Sequence, residues 1–318
     1  DTDWAPILDE VTACFVEIAR EIMKREKLLI VCQSEEDVRN QLGEIDEERV
    51  RFVEMPTNDT WARDHGGISV FDTFGPTVYD FVFNGWGMKF PAGKDNQITR
   101  NLFHEGIFAD RIQPANMAPF VLEGGSIESD GQGTLMTTAE CLLSLNRNEY
   151  MQREEIENHL KDIFGLSRIL WIENGFLVGD DTDSHVDTLA RFCKEDTIAY
   201  VQCTDESDVH YDELQAMEEE IKAFRQLNGE PYKLIALPMA DEVIWESERL
   251  PATYANFLII NGAVLLPFYN SPKDEIARKA LQEAFPDREI VGINCLSLIK
   301  QHGSLHCVTM QYPEGFIE

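Results

Sequence analysis

The chain has 318 residues and a formal net charge of −31, from 27 basic against 58 acidic residues. That length allows a large buried core, and the apolar content is typical of a globular protein rather than a disordered one. So acidic a surface repels phosphate backbones and anionic lipids. It therefore argues against nucleic acid or a membrane as partner and is compatible with a cationic small molecule.

Helices and β-rich runs alternate along the whole chain. The opening segment repeats apolar residues at helical spacing between Ile7 and Ile22, and a strand is predicted at 28–31. The rhythm recurs about five times and predicts a mixed α/β chain of similar modules in one domain, 1–318. Further helices are predicted at 35–42, 96–105, 153–164, 208–227 and 272–285, further strands at 120–122, 168–171, 233–237 and 289–293, and a hairpin turn at 130–133.

Cysteine usage favours a reducing compartment. The seven cysteines stand apart without a C-x-x-C pair, so the cytoplasm is the expected location. No apolar run approaches the length of a membrane span, and no signal peptide is visible. The sequence starts at Asp1 without a methionine, which leaves open a missing front segment. Oligomeric state is also open, a homo-oligomer being one possibility.

Cys307 is the first candidate for chemistry. It follows Gly303 and Ser304 and precedes the β-branched pair Val308 and Thr309, which predicts a thiol at the junction of a loop and a strand. Such a thiol can face a cleft, and its thiolate is a strong nucleophile once something lowers its pKa.

An acidic run at 180–187 surrounds His185. Asp187 stands two residues after the histidine, so both side chains would lie on one side of an extended segment, where His185 could act as acid and base. A calcium loop is the alternative, although the run lacks the glycine and the glutamate of an EF-hand.

Two further segments carry carboxylates. Arg63 and Asp64 follow Trp61 directly, either as a surface loop with a local ion pair or as a carboxylate beside an aromatic wall, which would suit a planar cation. Glu123 stands near a predicted strand end beside two glycines, which let a ligand approach closely.

The kinds of residue indicate the substrate class. His302, His306 and Cys307 have the spacing of zinc ligands on a helix, but the intervening glycine and serine argue against a helix. A cysteine-protease triad would need oxyanion donors, whereas this inventory is dominated by acceptors. A guanidinium presents five N–H donors in a plane and stays charged, so two or more carboxylates are its natural cradle.

Together these segments resemble the family of agmatine deiminases and bacterial peptidyl-arginine deiminases, which modify guanidino groups. The resemblance implies the α/β-propeller (pentein) fold, with five ββαβ-type modules around a pseudo-fivefold axis. The matching stretches run in the family's order across nearly the whole chain, at 57–66, 83–87, 122–127, 146–148, 181–187 and 303–307.

The resemblance implies a role for each catalytic position. Cys307 matches the nucleophile, His185 the general acid and base, and Glu123 the carboxylate that orients the histidine. Asp64 and Asp187 match the pair that binds the guanidinium nitrogens. The implied reaction passes through a covalent thiouronium and needs no metal or organic cofactor.

The substrate-binding positions implied by the resemblance are Trp61, Trp86 and Asp181, besides the two aspartates. Asp181 would meet the distal amine of agmatine, where many relatives carry a glutamate that is one methylene longer. Agmatine is the expected substrate, with free arginine or peptidyl-arginine as alternatives. A cysteine amidohydrolase and a non-catalytic agmatine-binding protein are the alternatives outside this class.

Overall fold

The computed structural model describes residues 4–73 and 75–317, which form a mixed α/β fold. Short 3₁₀ turns supplement the helices at Ala5–Ile7, Asp95–Gln97, Gly124–Ser126 and Val186–Thr188. The helices are α1 (Leu8–Met23), α2 (Glu35–Leu42), α3 (Ala62–His65), α4 (Gly85–Met88), α5 (Ile98–His104), α6 (Ala139–Leu142), α7 (Leu145–Asn148), α8 (Arg153–Phe164), α9 (Tyr211–Ala223), α10 (Lys273–Ala284) and α11 (Leu296–Ile299).

The strands pair within small sheets. They are β1 (Leu28–Cys32), β2 (Val50–Glu54), β3 (Ile68–Asp72), β4 (Gly75–Val82), β5 (Gln113–Val121), β6 (Ile127–Ser129), β7 (Thr134–Thr138), β8 (Arg168–Ile172), β9 (Ala190–Lys194), β10 (Thr197–Gln202), β11 (Lys233–Pro238), β12 (Ile244–Trp245), β13 (Glu248–Arg249), β14 (Leu258–Ile260), β15 (Ala263–Phe268) and β16 (Glu289–Asn294).

One topology is repeated. In the sheets β3-β4-β5, β6-β7-β8, β9-β10-β11 and β14-β15-β16, an antiparallel hairpin is followed by a helical crossover to a third strand, which pairs parallel to the second. The segment β1-α2-β2 repeats the parallel half of this unit alone. The predicted modules of similar construction are therefore present.

Capping residues explain why several predicted helix bounds hold. The Ser34 side chain accepts a hydrogen bond from the backbone N–H of Asp37 at the start of α2. At α8, Gln152 and Glu155 form a reciprocal capping box, and Gly165 ends the helix in the left-handed conformation that glycine adopts at least cost. These local signals are readable from sequence because each acts within one turn.

The apolar interior is built on the middle strands of the sheets. In both β10 and β15 every residue but the last is buried, which accounts for their continuous apolar character. The amphipathic helix α1 buries one face, including Val11, Cys14 and Ile18, in the same cluster. No helix among the described residues is long and apolar enough to cross a membrane.

Three local predictions need correction. The segment after Cys307 is a turn and not a strand, so the thiol lies within a loop. The helix predicted at 208–227 is shorter, at Tyr211–Ala223, and the one predicted at 96–105 divides into a 3₁₀ turn and α5. A local turn replaces the strand, because the backbone N–H and the side-chain hydroxyl of Thr309 both donate to the carbonyl of His306.

Two leucines in neighbouring short helices provide a test of the core. Leu142 is fully buried whereas Leu145 is 75% exposed. We expect Leu142→Ala to lower the free energy of unfolding by about 2–5 kcal/mol, because it leaves a cavity. Leu145→Ala should change it by less than about 0.5 kcal/mol. Urea unfolding of both variants measures this, and equal effects would contradict the burial.

Candidate active site

Three functional side chains converge on Gly125. A Cβ atom built on this glycine would lie 2.7 Å from Asp64 Oδ1, 2.7 Å from His185 Nδ1 and 3.2 Å from Asp187 Oδ2. The position therefore has no room for a side chain. Asp64 and His185 are more than a hundred positions apart in sequence, yet both contact the position that a Cβ atom of residue 125 would occupy.

Asp64 is buried at the end of α3 and does not pair with its neighbour Arg63. Its Oδ1 accepts the backbone N–H of Gly125 at 3.0 Å, and its Oδ2 accepts the indole N–H of Trp86 at 2.9 Å. Burial, followed by the nearby Asp187 carboxylate, raises the pKa of Asp64 well above its usual value. No lysine or arginine among the described residues forms an ion pair with Asp64.

A left-handed turn aims Trp86 at this carboxylate. Gly85, Trp86, Gly87 and Met88 all have positive φ, at 72°, 55°, 81° and 65°. Left-handed helical backbone is costly for L-residues other than glycine. The turn is held by the bond to Asp64 and by edge-on contacts of the indole with two phenylalanine rings.

Asp187 lies in the 3₁₀ turn Val186–Thr188, so the extended segment expected at this point is absent. Its Oδ2 is 2.7 Å from His306 Nδ1, whereas its Oδ1 is buried with no hydrogen-bond partner among the described residues. Burial raises the pKa of Asp187 to about 7, against the opposing effect of Arg191.

The protonation of His306 follows from Arg191. Arginine can only donate, so Arg191 Nη2 donates to His306 Nε2 at 3.1 Å. The remaining ring nitrogen, Nδ1, then carries the proton and donates to Asp187. Burial, followed by the adjacent guanidinium of Arg191, lowers the pKa of His306 well below its usual value, which agrees with a neutral ring.

His185 is fully buried, and neither ring nitrogen has a hydrogen-bond partner among the described residues. Its Nδ1 is 3.6 Å from Asp64 Oδ1. Burial, followed by the charge of Arg147, lowers the pKa of His185 well below its usual value. The ring is neutral and has two unused nitrogens.

Glu123 is buried beside His185 but is bound by Arg147. The Nε of Arg147 is 3.0 Å from both Glu123 oxygens, and its Nη1 is 2.6 Å from Asp183. Glu123, Cys141 and His185 also bring potential metal ligands within 4.8 Å of one another. The guanidinium already seated on Glu123 opposes a cation there.

Cys307 is 5% exposed and is held by its own loop and by α3. Its carbonyl accepts the backbone N–H of Arg63 at 3.0 Å. Its Sγ is 3.9 Å from Asp187 Oδ2 and 3.3 Å from the side-chain nitrogen of Asn256. Burial, followed by Asp187 and Asp64, raises the pKa of the thiol well above its usual value.

Trp61 packs against the cysteine loop. A Cβ atom on Gly303 would lie 2.2 Å from its ring, so this glycine is required for contact with the indole. Trp4 covers the ring from the other side at a centroid distance of 5.7 Å.

Asp181 lies in the loop before His185. Its backbone carbonyl accepts a hydrogen bond from Lys89 Nζ at 2.6 Å, and its carboxylate has no hydrogen-bond partner among residues 4–73 and 75–317. Burial, followed by Asp180, raises the pKa of Asp181 to about 6.

The two metal-binding alternatives do not match the geometry. His302 Nδ1 donates to the carbonyl of Gly179 at 2.7 Å, whereas His306 Nδ1 faces Asp187. In the acidic run, Asp180 accepts the hydroxyl of Thr182 and the backbone N–H of Ser184. The Asp180 carboxylate therefore stabilises the turn of its own loop through hydrogen bonds.

Several site residues were not predicted from the sequence. Asn256 contacts Cys307, and Arg191 contacts His306, from segments that are distant in sequence. Arg147, which binds Glu123, lies in the matching stretch 146–148 but had no assigned role. Buried polar residues inside apolar runs were the available signal, since such groups need partners.

This arrangement places two carboxylates and a thiol around one position, a combination that suits a planar cation and is expected of enzymes that modify guanidino groups. The family model for Porphyromonas-type peptidyl-arginine deiminase matches residues 1–313, and the chain belongs to this family.

Solved structures and curated proteins agree with this assignment. A Porphyromonas gingivalis protein provisionally described as an arginine deiminase has a TM-score of 0.96 and 54% identity, covering 98% of this chain and 92% of its own. A Cys-to-Ser variant of C. jejuni agmatine deiminase with substrate bound has a TM-score of 0.89 and 40% identity, covering 96% and 88%. The agmatine deiminase of Ectopseudomonas mendocina is 33% identical, covering 95% of this chain and 87% of its own.

Gly125 offers a direct test of the convergence. We expect Gly125→Ala to lower deiminase kcat/KM by about 100-fold or more, because the added methyl group displaces reacting groups. Gly93→Ala is the matched control, since a Cβ there meets nothing within 4 Å. Steady-state kinetics on both folded variants decide the outcome, and an active Gly125→Ala variant would contradict the packing.

Proposed function

We infer that the protein hydrolyses agmatine to N-carbamoylputrescine and ammonia. Agmatine deiminases are among its relatives over most of the chain, including one solved with substrate bound. The hydrolysed bond is a C–N bond of the guanidino group. Free arginine and peptidyl-arginine are the alternative substrates of the same chemistry.

The observation that carries this proposal is a set of buried polar atoms without partners. Asp187 Oδ1 and both nitrogens of His185 are inaccessible to water and have no hydrogen-bond partner among the described residues. Buried polar groups normally have one. A guanidinium seated between Asp64 and Asp187 supplies N–H donors and the positive charge that these carboxylates lack.

The first half of the proposed reaction forms a thiouronium. Bound guanidinium lowers the pKa of Cys307 because a nearby cation favours the thiolate, and the thiol proton passes to neutral His185. The sulfur attacks the guanidinium carbon and forms a C–S bond. His185 returns the proton to one amino group, the C–N bond breaks, and ammonia leaves.

The second half regenerates the enzyme. Water enters where ammonia left, His185 takes its proton, and the oxygen attacks the thiouronium carbon. The C–S bond breaks and the electron pair returns to sulfur. The product hydroxyl loses its proton to solvent to give the C=O of the ureido group, His185 passes its proton to the Cys307 sulfur, and the product leaves. Glu123, held by Arg147, lies behind the histidine throughout. The covalent intermediate divides one difficult hydrolysis into two easier steps.

Asp181 supports agmatine over arginine. Its carboxylate is partly buried and lacks a hydrogen-bond partner among the described residues, so an ammonium group would be favoured there. Lys89, the lysine near Asp181, is already bonded to Asp183 and to the carbonyl of Asp181. It is therefore not free to bind the carboxylate of arginine.

The repeated sheets support a second part of the proposal. Four units of hairpin, helix and parallel strand, with β1-α2-β2 as a fifth, would form a propeller around a pseudo-fivefold axis as one catalytic domain. In that arrangement we assign the aromatic wall to Trp61 and Trp86. Cytoplasmic location and homo-oligomer formation stay predictions from the sequence.

Ammonia release tests the function and the nucleophile together. We expect agmatine to yield ammonia and a ureido product at a higher kcat/KM than arginine or an arginyl peptide. Cys307→Ser should abolish turnover, because a hydroxyl is far less acidic than a thiol. Cys32→Ser, at a half-buried cysteine in β1, is the matched control and should stay active. Ammonia from none of the three substrates would refute the proposal.

The pH dependence of binding separates the two ends of the substrate. Affinity of Cys307→Ser for guanidines should fall below about pH 7, where Asp187 takes up a proton. Agmatine should lose affinity more steeply below about pH 6, where Asp181 also becomes neutral, whereas n-butylguanidine should not. Each carboxylate that must be ionised contributes up to tenfold per pH unit.

Calorimetric titration of both ligands over a pH series makes this measurement. Asp181→Asn in the Cys307→Ser background should give agmatine the pH dependence of n-butylguanidine. If agmatine and n-butylguanidine show the same dependence of affinity on pH with Cys307→Ser alone, the ammonium group of agmatine does not bind at Asp181.

A further inference from the structure

Asn256 makes more contacts with the cysteine loop than any role assigned so far explains. It is fully buried and lies two residues before β14, on a segment distant in sequence from the loop. Its Oδ1 accepts the backbone N–H of His306 at 2.8 Å and that of Cys307 at 3.3 Å. Cys307 Sγ lies 3.3 Å from its Nδ2 and 3.4 Å from its Oδ1.

The orientation of the amide follows from its partners. Two backbone N–H groups can only donate, so the atom facing them is the oxygen. The opposite atom lies 3.4 Å from the carbonyl of Asp187, which can only accept, so that atom is the nitrogen. Exchanging the two would create three repulsive contacts. The main chain around Asn256 therefore fixes an N–H group within reach of the sulfur, while the oxygen can accept from the S–H group of the neutral thiol.

The other charged groups around the sulfur oppose its ionisation. Asp187 Oδ2 lies 3.9 Å away, and Asp64 also faces it. Arg191 bonds to the neutral His306, and His306 bonds to Asp187, so neither of them donates a hydrogen bond to the sulfur. A thiolate in this position needs hydrogen-bond donors, and Asn256 provides one from a side chain.

We propose that Asn256 is a catalytic residue which stabilises the Cys307 thiolate through its Nδ2–H group. This rests on the proposed function only in that Cys307 is the nucleophile. The same side chain fixes the loop through its oxygen, so the negatively charged sulfur and its donor are held in one rigid unit. The donor serves when the sulfur attacks and again when the C–S bond breaks.

Two substitutions separate the donor from the loop contacts. Asn256→Asp keeps the oxygen that accepts from His306 and Cys307 but removes the N–H donor. Asn256→Ala removes both without adding a charge. The readout is the rate of Cys307 alkylation by iodoacetamide over a pH series, followed by mass spectrometry of the Cys307 peptide without substrate.

We expect both substitutions to move the midpoint of the alkylation profile upward by about one pH unit, a tenfold lower rate below the midpoint. Asn261→Asp is the matched control, since Asn261 is exposed on the turn that follows β14. Its profile should equal that of the unmodified protein.

Other outcomes overturn the proposal. Unchanged midpoints in both variants would mean that Asn256 only holds the loop. A shift in Asn256→Asp alone would mean that the added charge, and not the lost donor, is responsible. If Asn256→Ala does not fold, Asn256→Leu replaces it, because leucine removes the N–H donor without adding a charge and is close to asparagine in size. Its alkylation midpoint must still move to higher pH. Loss of deiminase activity in the unmodified protein would refute the function and leave this pH profile unaffected.

Discussion

Two buried carboxylates that form no ion pair with a lysine or arginine among the described residues are the constraint on which the site depends. Asp64 and Asp187 approach each other beside Gly125, and burial raises the pKa of both. In the absence of a ligand this arrangement is unfavourable, since removing charge from water is costly. It becomes favourable when a cation enters. The neutral forms of His185 and His306 are consistent with the same requirement, because no further positive charge competes for the carboxylates.

Two arginines that bond to neighbours of the site residues hold this arrangement in place. Arg191 fixes the tautomer of His306, which in turn donates to Asp187. Arg147 binds Glu123 and the loop that precedes His185. Each guanidinium is satisfied by protein atoms, so it orients the acidic groups without occupying the space between them. The site thus has fixed charges behind it and an unfilled cation position in front.

Part of the fold and of the site was predictable from the sequence. Most features set by local contacts could be predicted, whereas features set by tertiary contacts could not. Helix bounds such as 35–42 and 153–164 follow from capping within a single turn. The meeting of Asp64 with His185 and Asp187 was expected from family resemblance alone. The spacing of His185 and Asp187 predicted an extended segment with both on one side, but Asp187 lies in a 3₁₀ turn, which does not follow strand alternation. Asn256 was not predicted, since its function depends on main-chain groups that tertiary folding brings to it. The strand expected after Cys307 was wrong because a local turn at 306–309 forms in its place.

The unpartnered atoms of Asp187 and His185 also affect the fate of the protein when no ligand is present. Each buried polar group without a partner costs about 1–3 kcal/mol of folding free energy. The free protein is less stable than its packing alone would make it, and a bound cation restores that loss in proportion to its concentration. Resistance to unfolding and to proteolysis therefore rises with the supply of the molecule that fills the site. In this way the geometry of the site links the lifetime of the chain to its own ligand.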